Sequence, residues 1–464
     1  MSSKERSHFA DFQLDGRWWL PGTPERRVYG TLRYSQASGI TIDLMDRLKE
    51  LDWKPGPVSM DSLVNEFPIV LGQSDTLESC TVLRSFETSG SLFPMDGGRS
   101  RLRAHRLYIG SHFTTEEEIQ FEQQRLEFAY LEDWVGMSPF RVERYLEPLR
   151  TLIEMQHEPK EIARARIDNK KTDLWIQLVP TLSYGFQGEF TGGRCASVFV
   201  KPDEEQPYSW YEGVARSIGN LFTLCIGQPV LPRRIIGERS FPKGSKVERI
   251  EIYIPLLEIR QKGDVSYATM PVPLPMIQDR VASVITSWFA AEEKIEPVLG
   301  LLLGTYYNPH MYVETEFLTL MQALEIFHRR LIGGSYLSGE QWLPHFNALV
   351  LAIPPELEEG HKASLKKRLE YGREYSLRKR LENLINSLSE DARKYVTEGY
   401  ENFVGQCADT RNALVHEGGG GILAQGLQAL WTANRRLRVL LNILIWTELG
   451  LKDRFSNDFF RRVE

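Results

Sequence analysis

The hydrophobic pattern of this chain changes character once, at the alternating prolines Pro271, Pro273 and Pro275. Before them, apolar residues fall in short runs rich in β-branched and aromatic side chains, bounded by Gly, Pro, Ser or Asp, which is typical of strands. After them, apolar residues recur at three- and four-residue spacing, which is typical of helices. Because alternating prolines favour an extended connection, we place a domain boundary here. The sequence predicts an α+β protein, with a β-rich N-terminal module of one or two lobes at residues 1–270 and an all-α helical bundle at residues 277–464.

Individual elements follow from the same patterns. Strands are expected at residues 28–34, 40–44, 68–72, 174–178, 196–200 and 247–254. Helices are expected to interrupt them near residues 139–162 and 208–226. In the C-terminal part, helices are predicted over residues 365–388, 396–416 and 426–449.

Composition excludes several classes of protein. The chain has 464 residues, 42% of them apolar and 25% charged, which are ordinary values for a folded globular protein. Its apolar runs are far shorter than the roughly 18 residues of a membrane span, and its N-terminus is polar, so we expect a cytoplasmic protein without a membrane anchor. The formal net charge of -6 means that a nucleic-acid partner would need a local basic surface.

Cysteine and histidine positions indicate no metal site and no cofactor. Cys80, Cys195, Cys225 and Cys407 are widely separated and form no Cys-x-x-Cys pair. The histidines show no metal-ligand spacing either. We therefore expect reduced thiols in the core.

One short stretch, at residues 409–416, carries candidate chemistry. Arg411 supplies a permanent cation, and His416 supplies a group that titrates near neutrality. RNA brings its own nucleophile in the 2′-hydroxyl, so an enzyme needs only to move protons and to stabilise charge on the phosphate. Asn412 and Asp409 are aligned with His416 on a helix and are expected to support it.

Helix geometry raises a difficulty for this pair. Over five residues an α-helix turns about 140° beyond one full turn, so Arg411 and His416 would not share a face. Two copies related by a twofold axis could place two Arg–His sets around one groove, which predicts a homodimer. Arg411 also interrupts an apolar seam of the predicted helix, and we expect Glu325 to orient it. The alternative is an ordinary interhelical Arg411–Glu325 ion pair, with His416 a solvent-exposed cap.

Basic residues gather in two places. Residues 362–380 are strongly basic, and Arg435, Arg436 and Arg438 follow on the last long helix. From these we take five candidate phosphate contacts, namely Arg378, Lys379, Arg380, Arg435 and Arg436. A solvated helix face is the competing interpretation. The run Gly418 to Gly421 is expected to be a flexible helix exit.

The segments at residues 317–325, 376–381 and 411–416 resemble the ApeA-like HEPN domain of bacterial anti-phage proteins. Upstream, residues 16–22, 28–32, 70–72 and 107–113 resemble the ApeA N-terminal domain, so the resemblance spans nearly the whole chain. It implies a metal-independent HEPN endoribonuclease of abortive infection that cuts host or phage RNA in single-stranded or loop regions, with tRNA as one candidate. It further implies that Arg411 and His416 are catalytic, that Asn412 adjoins them, and that the N-terminal module responds to a phage-derived trigger.

Two other functions remain open at this point. Many HEPN domains are not catalytic, so the chain could be a dimerising or RNA-binding protein that senses a phage product. A toxin controlled by nucleotidyl modification would need a tyrosine near the motif, and Tyr400 is the candidate.

Overall fold

The computed structural model describes residues 6–49, 65–90, 99–146, 149–155, 158–184, 190–240, 247–256, 265–417, 423, 426–455, 459–460 and 462. The chain divides into two compact units, Met1–Thr286 and Ser287–Glu464. The first is rich in strands and the second is helical, so the predicted α+β class is confirmed.

The first unit is built mainly from antiparallel strands. Its strands are β1 (Phe12–Trp19), β2 (Val28–Ser35), β3 (Gly39–Leu44), β4 (Glu66–Ser74), β5 (Ser79–Gly90), β6 (Ser100–Ile109), β7 (Gln120–Phe121), β8 (Gln123–Phe128), β9 (Phe140–Leu146), β10 (Leu149–Met155), β11 (Lys160–Ile167), β12 (Thr172–Tyr184), β13 (Phe190–Pro202), β14 (Gln206–Pro207), β15 (Pro232–Ser240) and β16 (Val247–Tyr253). Its helices are α1 (Leu131–Val135), α2 (Tyr208–Ile226) and α3 (Leu274–Ile277), with 3-10 turns at Asp168–Lys170 and Tyr267–Thr269.

Twelve strands form one sheet, in the order β11-β12-β13-β8-β15-β16-β6-β3-β2-β1-β4-β5. Because β5 also pairs with β6, the strands from β6 to β5 close into a barrel, while the remaining strands form an open sheet. Inward-facing residues such as Leu32, Ile42 and Leu102 alternate with exposed ones and fill the barrel. Trp18 is fully buried in this core, and a Cβ at Gly72 would come within 2.3 Å of the Trp18 ring. Only glycine at that position allows this approach.

Helix α2 packs against the open sheet. The ring of Phe222 on its buried face contacts Phe128 of β8 at a centroid distance of 5.8 Å and Trp134 of α1 at 5.1 Å. The helix ends at Gly227, whose φ of 78° is the left-handed conformation common after a helix.

The segment of alternating prolines packs into the first unit, where Pro271 and Pro273 are buried and Pro275 is exposed. Met270, Val272 and Leu274, each of which precedes one of these prolines, are fully buried. The Val272 N–H donates to the Cys225 carbonyl at 2.9 Å, and the Val272 carbonyl accepts from the Trp134 indole at 2.8 Å. The division between the compact units comes later, after Thr286 and inside a long helix.

The helical part contains α4 (Val281–Tyr307), α5 (Val313–Phe327), α6 (Gly339–Leu351), α7 (Glu359–Glu370), α8 (Leu377–Asn386), α9 (Glu390–Thr397), α10 (Phe403–Asn412) and α11 (Leu427–Glu448). Two π-helical segments, His328–Ile332 and Ala413–Glu417, continue α5 and α10, and a 3-10 turn lies at Lys452–Arg454. Trp288, Phe317 and Trp446 are fully buried in the core of this unit. The amide of Asn434 on α11 donates to the Val313 carbonyl of α5 at 2.9 Å.

Most element predictions are confirmed. Five of the six predicted strands lie within β2, β3, β4, β12 and β13, and the sixth, predicted at residues 247–254, corresponds to β16 and extends one residue beyond it. The helices predicted at residues 208–226 and 426–449 correspond to α2 and α11. No helix in the described part of the chain is both long enough and apolar enough to cross a membrane.

Three helix predictions are wrong. Residues 139–162 contain the hairpin β9–β10, because each of its segments alternates apolar and polar side chains over most of its length. Residues 365–388 divide into α7 and α8, and the Ser376 side chain caps α8 by accepting from the Lys379 N–H at 3.3 Å. Residues 396–416 break after Thr397, where Gly399 adopts a φ of 84° that terminates the helix.

Candidate functional site

Helix α10 presents Arg411 at its C-terminal end. The Asn402 side chain caps the helix by accepting from the Gly405 N–H at 2.9 Å. Phe403, Cys407 and Thr410 are buried on its inner face, whereas Asp409 and Asn412 are exposed. Arg411 is half-buried at the border of the two faces.

The apolar seam of α10 runs through Thr410, so the prediction that Arg411 interrupts it is wrong. Thr410 is fully buried, and its Oγ1 accepts from the Leu423 N–H at 3.3 Å. Leu423 is itself 3% exposed and lies on the far side of the glycine run. The hydroxyl therefore ties the chain beyond the motif back to α10. The helix exit predicted at Gly418 to Gly421 lies outside the described residues.

The helix widens into a π turn immediately after Asn412. Residues Ala413–Glu417 are π-helical, so hydrogen bonds there join residues five positions apart. A π turn holds more residues than an α turn, so the rotation separating Arg411 from His416 is smaller than the α-helical estimate. His416 is exposed in this turn. The imidazole thus stands in the turn that follows the guanidinium, and both reach solvent.

Asn412 is the polar partner of Arg411. Arg411 Nη1 donates to Asn412 Oδ1 at 3.3 Å. This contact restricts the guanidinium to the exposed side of the helix end. Asn412 was predicted to adjoin Arg411, and this hydrogen bond shows how its side chain contacts the guanidinium.

Asp409 is engaged elsewhere. Its carboxylate accepts from Arg378 of α8, and the side chains of both residues are 50% exposed. This ion pair links α8 to α10 beside the motif. The structure therefore places Arg378, rather than His416, against Asp409.

The predicted pairing of Glu325 with Arg411 is wrong. Glu325 Oε1 accepts from Nε and Nη2 of Arg329 at 3.2 and 3.1 Å. Arg329 follows Glu325 by four residues along the same helix, which is the favourable spacing for such a pair. Arg329 also pairs with Glu374, so Glu325 belongs to a local network at the end of α5.

The buried arginine of the bundle is Arg380. Its side chain is 3% exposed and donates to the Tyr375 carbonyl at 3.0 Å, to His328 Nδ1 at 3.1 Å and to Glu374 at 3.2 Å. A guanidinium can only donate, so His328 Nδ1 accepts from Arg380. Burial, with the positive charge of Arg380, lowers the pKa of His328. Arg380 is not on the surface, so its prediction as a phosphate contact is wrong.

The other four predicted phosphate contacts differ in environment. Lys379 is half-exposed and lies 3.5 Å from Glu382. Arg435 covers the ring of Trp431 at 5.0 Å. Arg436 covers the ring of Tyr395 at 4.0 Å, and its Nη1 is buried, so it is held in the bundle. Arg378, Lys379 and Arg435 remain as candidates for contact with a ligand.

Sequence reasoning missed three exposed apolar side chains that follow Arg411 in the chain. Val415 is 49% exposed, Leu427 70% and Trp431 45%. They lie in the π turn and at the start of α11. Nothing in the sequence distinguished them from core residues, since exposure of an apolar side chain depends on how the helices pack.

The cysteines are mostly core residues, as predicted. Cys80, Cys225 and Cys407 are buried, and burial raises the pKa of each thiol, to about 12 for Cys80. Cys195 is only partly buried. Among the described residues, no three His, Cys, Asp or Glu side chains are grouped so that they could hold a metal ion.

Comparison with known families agrees with both units. Residues 13–288 match the family model described as ApeA N-terminal domain 1, and residues 318–455 match the one described as Apea-like HEPN. No curated protein and no solved structure gives a significant match. The first model alone covers more than half of the chain. The chain therefore belongs to the ApeA family of HEPN nuclease-type anti-phage proteins.

Proposed function

We propose that this protein is a metal-independent endoribonuclease that cuts host or phage RNA during infection, with Arg411 and His416 as its catalytic residues. The observation that carries the proposal is the π turn at Ala413–Glu417, which brings an exposed imidazole into the turn after a half-buried guanidinium. π-helical segments are rare, and those that occur inside α-helices are frequently found at functional sites.

The chemistry needs two proton transfers and one stabilised charge. The imidazole of His416 accepts the proton of the RNA 2′-hydroxyl as that oxygen attacks the adjacent phosphorus. Arg411 stabilises the negative charge that develops on the phosphate oxygens. As the bond to the 5′-oxygen breaks, an imidazolium donates a proton to that oxygen. The products are a 2′,3′-cyclic phosphate and a 5′-hydroxyl.

Asn412 acts as a positioning residue for Arg411. Its Oδ1 accepts from Arg411 Nη1 and leaves the rest of the planar guanidinium to meet two phosphate oxygens. Loss of this contact should weaken charge stabilisation without removing the cation.

A second copy of the chain supplies the second imidazole. We assign to the isologous interface between the two copies three exposed apolar side chains that follow Arg411 in the chain, Val415, Leu427 and Trp431. In such a dimer one His416 accepts a proton while the other donates one. Arg378, Lys379 and Arg435 would contact the RNA backbone at the edges of the cleft.

We further propose that the N-terminal unit responds to a phage-derived trigger and that the enzyme acts in the cytoplasm. The two family models, one for each part of the chain, support this division of labour. Single-stranded or loop regions, tRNA loops among them, are the expected targets because in-line attack needs a freely rotating ribose-phosphate backbone.

The test is RNA cleavage by the purified protein in EDTA. Wild type should cut total RNA, and Arg411→Ala and His416→Ala should each lower the rate by about 100-fold or more. Arg393→Ala and His310→Ala are matched controls, since both residues are exposed and lie outside the motif. Intact RNA with wild type, or equal cleavage by His416→Ala, would contradict the proposal.

A further inference from the structure

Helices α6 and α7 form a helical hairpin without a buried residue. The structure describes every residue from 329 to 379, and none of them is buried. The Tyr336 N–H donates to the Arg373 carbonyl at 2.8 Å, which closes the base of the hairpin. We call residues 338–373 the arm. Helices of this length gain most of their stability from tertiary packing, so two helices without a buried side chain indicate a surface that a partner covers.

The two helices of the arm pack on each other through one face of α6. Trp342, Phe346 and Val350 recur at four-residue spacing on this face and are partly buried. The Trp342 indole donates to the Leu369 carbonyl of α7 at 3.2 Å. A Cβ at Gly372 would come within 2.8 Å of the Trp342 ring, so the chain after α7 also lies against this face. α7 is thus the element that covers the apolar face of α6.

Two leucines border this face and remain exposed. Leu343 is 57% exposed and Leu349 is 43% exposed, and each lies about 60° around α6 from Phe346. Leu351, which is 86% exposed, lies about 140° from Phe346 on the other side of the helix. α7 therefore covers the middle of the apolar face and leaves its leucine borders in solvent.

The charges of the arm are divided between its two ends. The tip is residues 352–362, and its charged residues are Glu356, Glu358, Glu359 and Lys362. The stem is residues 338–351 and 363–373, and its charged residues are Lys366, Lys367, Arg368, Arg373, Glu340 and Glu370. The formal charge is therefore -2 at the tip and +2 at the stem, and the arm as a whole has no net charge. Lys362 and Glu359 pair with each other at 2.8 Å, so the excess negative charge of the tip is on Glu356 and Glu358.

We propose that the arm pairs antiparallel with the arm of a second copy of this chain. A twofold axis across the two arms sets the tip of each beside the stem of the other, so both contacts join opposite charges. Parallel pairing would instead join like charges. Because the arm has no net charge, it has no overall attraction for RNA or for an anionic membrane. The exposed leucines supply apolar area for the contact, and the charges set its direction.

The arm joins the bundle close to the motif. Arg378 of α8, which follows the arm in the chain, pairs with Asp409 of α10, two residues before Arg411. In a closed dimer every contact between the copies shares one twofold axis, so arm pairing adds to the dimer that the proposed active site requires. The inference rests on that proposed dimer and not on cleavage. A protein that dimerises through its arms and leaves RNA intact would refute the nuclease and retain the arm contact.

The test is a charge swap in the full-length chain, with the dissociation constant of the dimer measured by sedimentation at low salt. Glu356→Lys with Glu358→Lys reverses the charge of the tip, and Lys366→Glu with Lys367→Glu reverses that of the stem. Each swap alone places like charges together between the copies and should weaken the dimer about tenfold or more. All four substitutions in one chain restore opposite charges, and the dissociation constant should return to within about threefold of the wild-type value.

Leu343→Glu with Leu349→Glu should also weaken the dimer about tenfold or more, because it places charges at both borders of the apolar face. Leu351→Glu is the matched control and should dimerise like wild type, since Leu351 lies on the other side of α6. Circular dichroism checks that each variant keeps its helices. The proposal is overturned if wild type is monomeric, or if either swap or the leucine variant dimerises like wild type. It is also overturned if the four-substitution variant stays as weak as the single swaps, because RNA, a membrane or a different protein on the arm would give that result.

Discussion

His8 is a neutral imidazole held inside the N-terminal unit. It is 1% exposed, stacks on Tyr253 at a centroid distance of 5.0 Å, and its Nδ1 donates to the Arg233 carbonyl at 3.1 Å. Burial lowers the pKa of His8 from 6.5 to about 4. Between pH 6.5 and pH 4, His8 is protonated in the unfolded chain but neutral in the folded protein. The free energy of unfolding therefore decreases as the pH falls from 6.5 to 4.

The first prediction concerns this pH window. The free energy of unfolding of wild type should fall by up to about 3 kcal/mol through His8 alone as pH drops from 6.5 to 4. His8→Asn retains a donor near the position of Nδ1 but does not titrate. The variant should be less stable near pH 8 and should show a shallower decline on acidification in urea unfolding. Parallel pH profiles for variant and wild type would show that His8 does not titrate as described.

Two arginines on α8 provide a second prediction. Arg380 is buried with a histidine, a carboxylate and a carbonyl around it, whereas Arg378 is half-exposed and pairs with Asp409. Arg380→Ala should cost about 2 to 4 kcal/mol of unfolding free energy, because it leaves buried acceptors without a donor. Arg378→Ala should cost less than about 1 kcal/mol. Similar losses for the two variants in urea unfolding would refute the assignment of Arg380 to the core.

At the scale of elements, α10 depends on the residue that precedes it. Asn402 caps the helix that carries the motif, and the preceding helix α9 ends before Gly399. Asn402→Ala should lower stability by about 1 kcal/mol, whereas Asn402→Asp should retain the cap. Asn347→Ala on α6 is the control, because Asn347 is exposed within a helix and caps nothing. If Asn402→Ala unfolds at the same urea concentration as the control, the cap does not stabilise α10.

Sequence pattern predicted elements well where one periodicity ran without interruption. Residues 208–226 have an apolar face bounded by Pro207 and Gly227, and the predicted helix matches α2. The break after Thr397 was missed, because apolar spacing continued through a glycine whose backbone conformation is invisible in the pattern. The π turn at Ala413–Glu417 was missed for a similar reason, since α-helical spacing was assumed throughout.

The sequence predicted some features of the candidate site and not others, and the difference has a physical cause. The pair Arg411 and His416 was selected on residue type, spacing and resemblance, and Asn412 could be expected beside Arg411 because it is the next residue in the chain. The contact of Arg411 with Glu325 was predicted wrongly, because a tertiary contact depends on which helix faces which. Glu325 forms its ion pair with Arg329, which lies four residues later on the same helix. The arginine whose side chain is buried in the helical unit is Arg380 and not Arg411.

At the scale of the whole molecule, the proposed active site requires two copies of the chain. Leu427→Glu with Trp431→Glu places charges in the proposed interface and should convert a dimer to a monomer in sedimentation experiments. The rate of RNA cleavage should decrease in proportion to the fraction of protein that remains dimeric. Leu351→Glu is the control, since Leu351 is 86% exposed on α6, away from the motif in sequence. A cleaving monomer would show that one Arg–His set is sufficient.

The chemistry of the RNA ends tests the central claim most directly. RNA fragments produced by wild type in EDTA should end in a 2′,3′-cyclic phosphate on one side and in a 5′-hydroxyl on the other, and a substrate with 2′-deoxyribose at the cut position should stay intact. His416→Ala should produce none of these ends. Fragments with 3′-hydroxyl and 5′-phosphate ends, or cleavage at a 2′-deoxy position, would contradict attack by the 2′-hydroxyl under the control of Arg411 and His416.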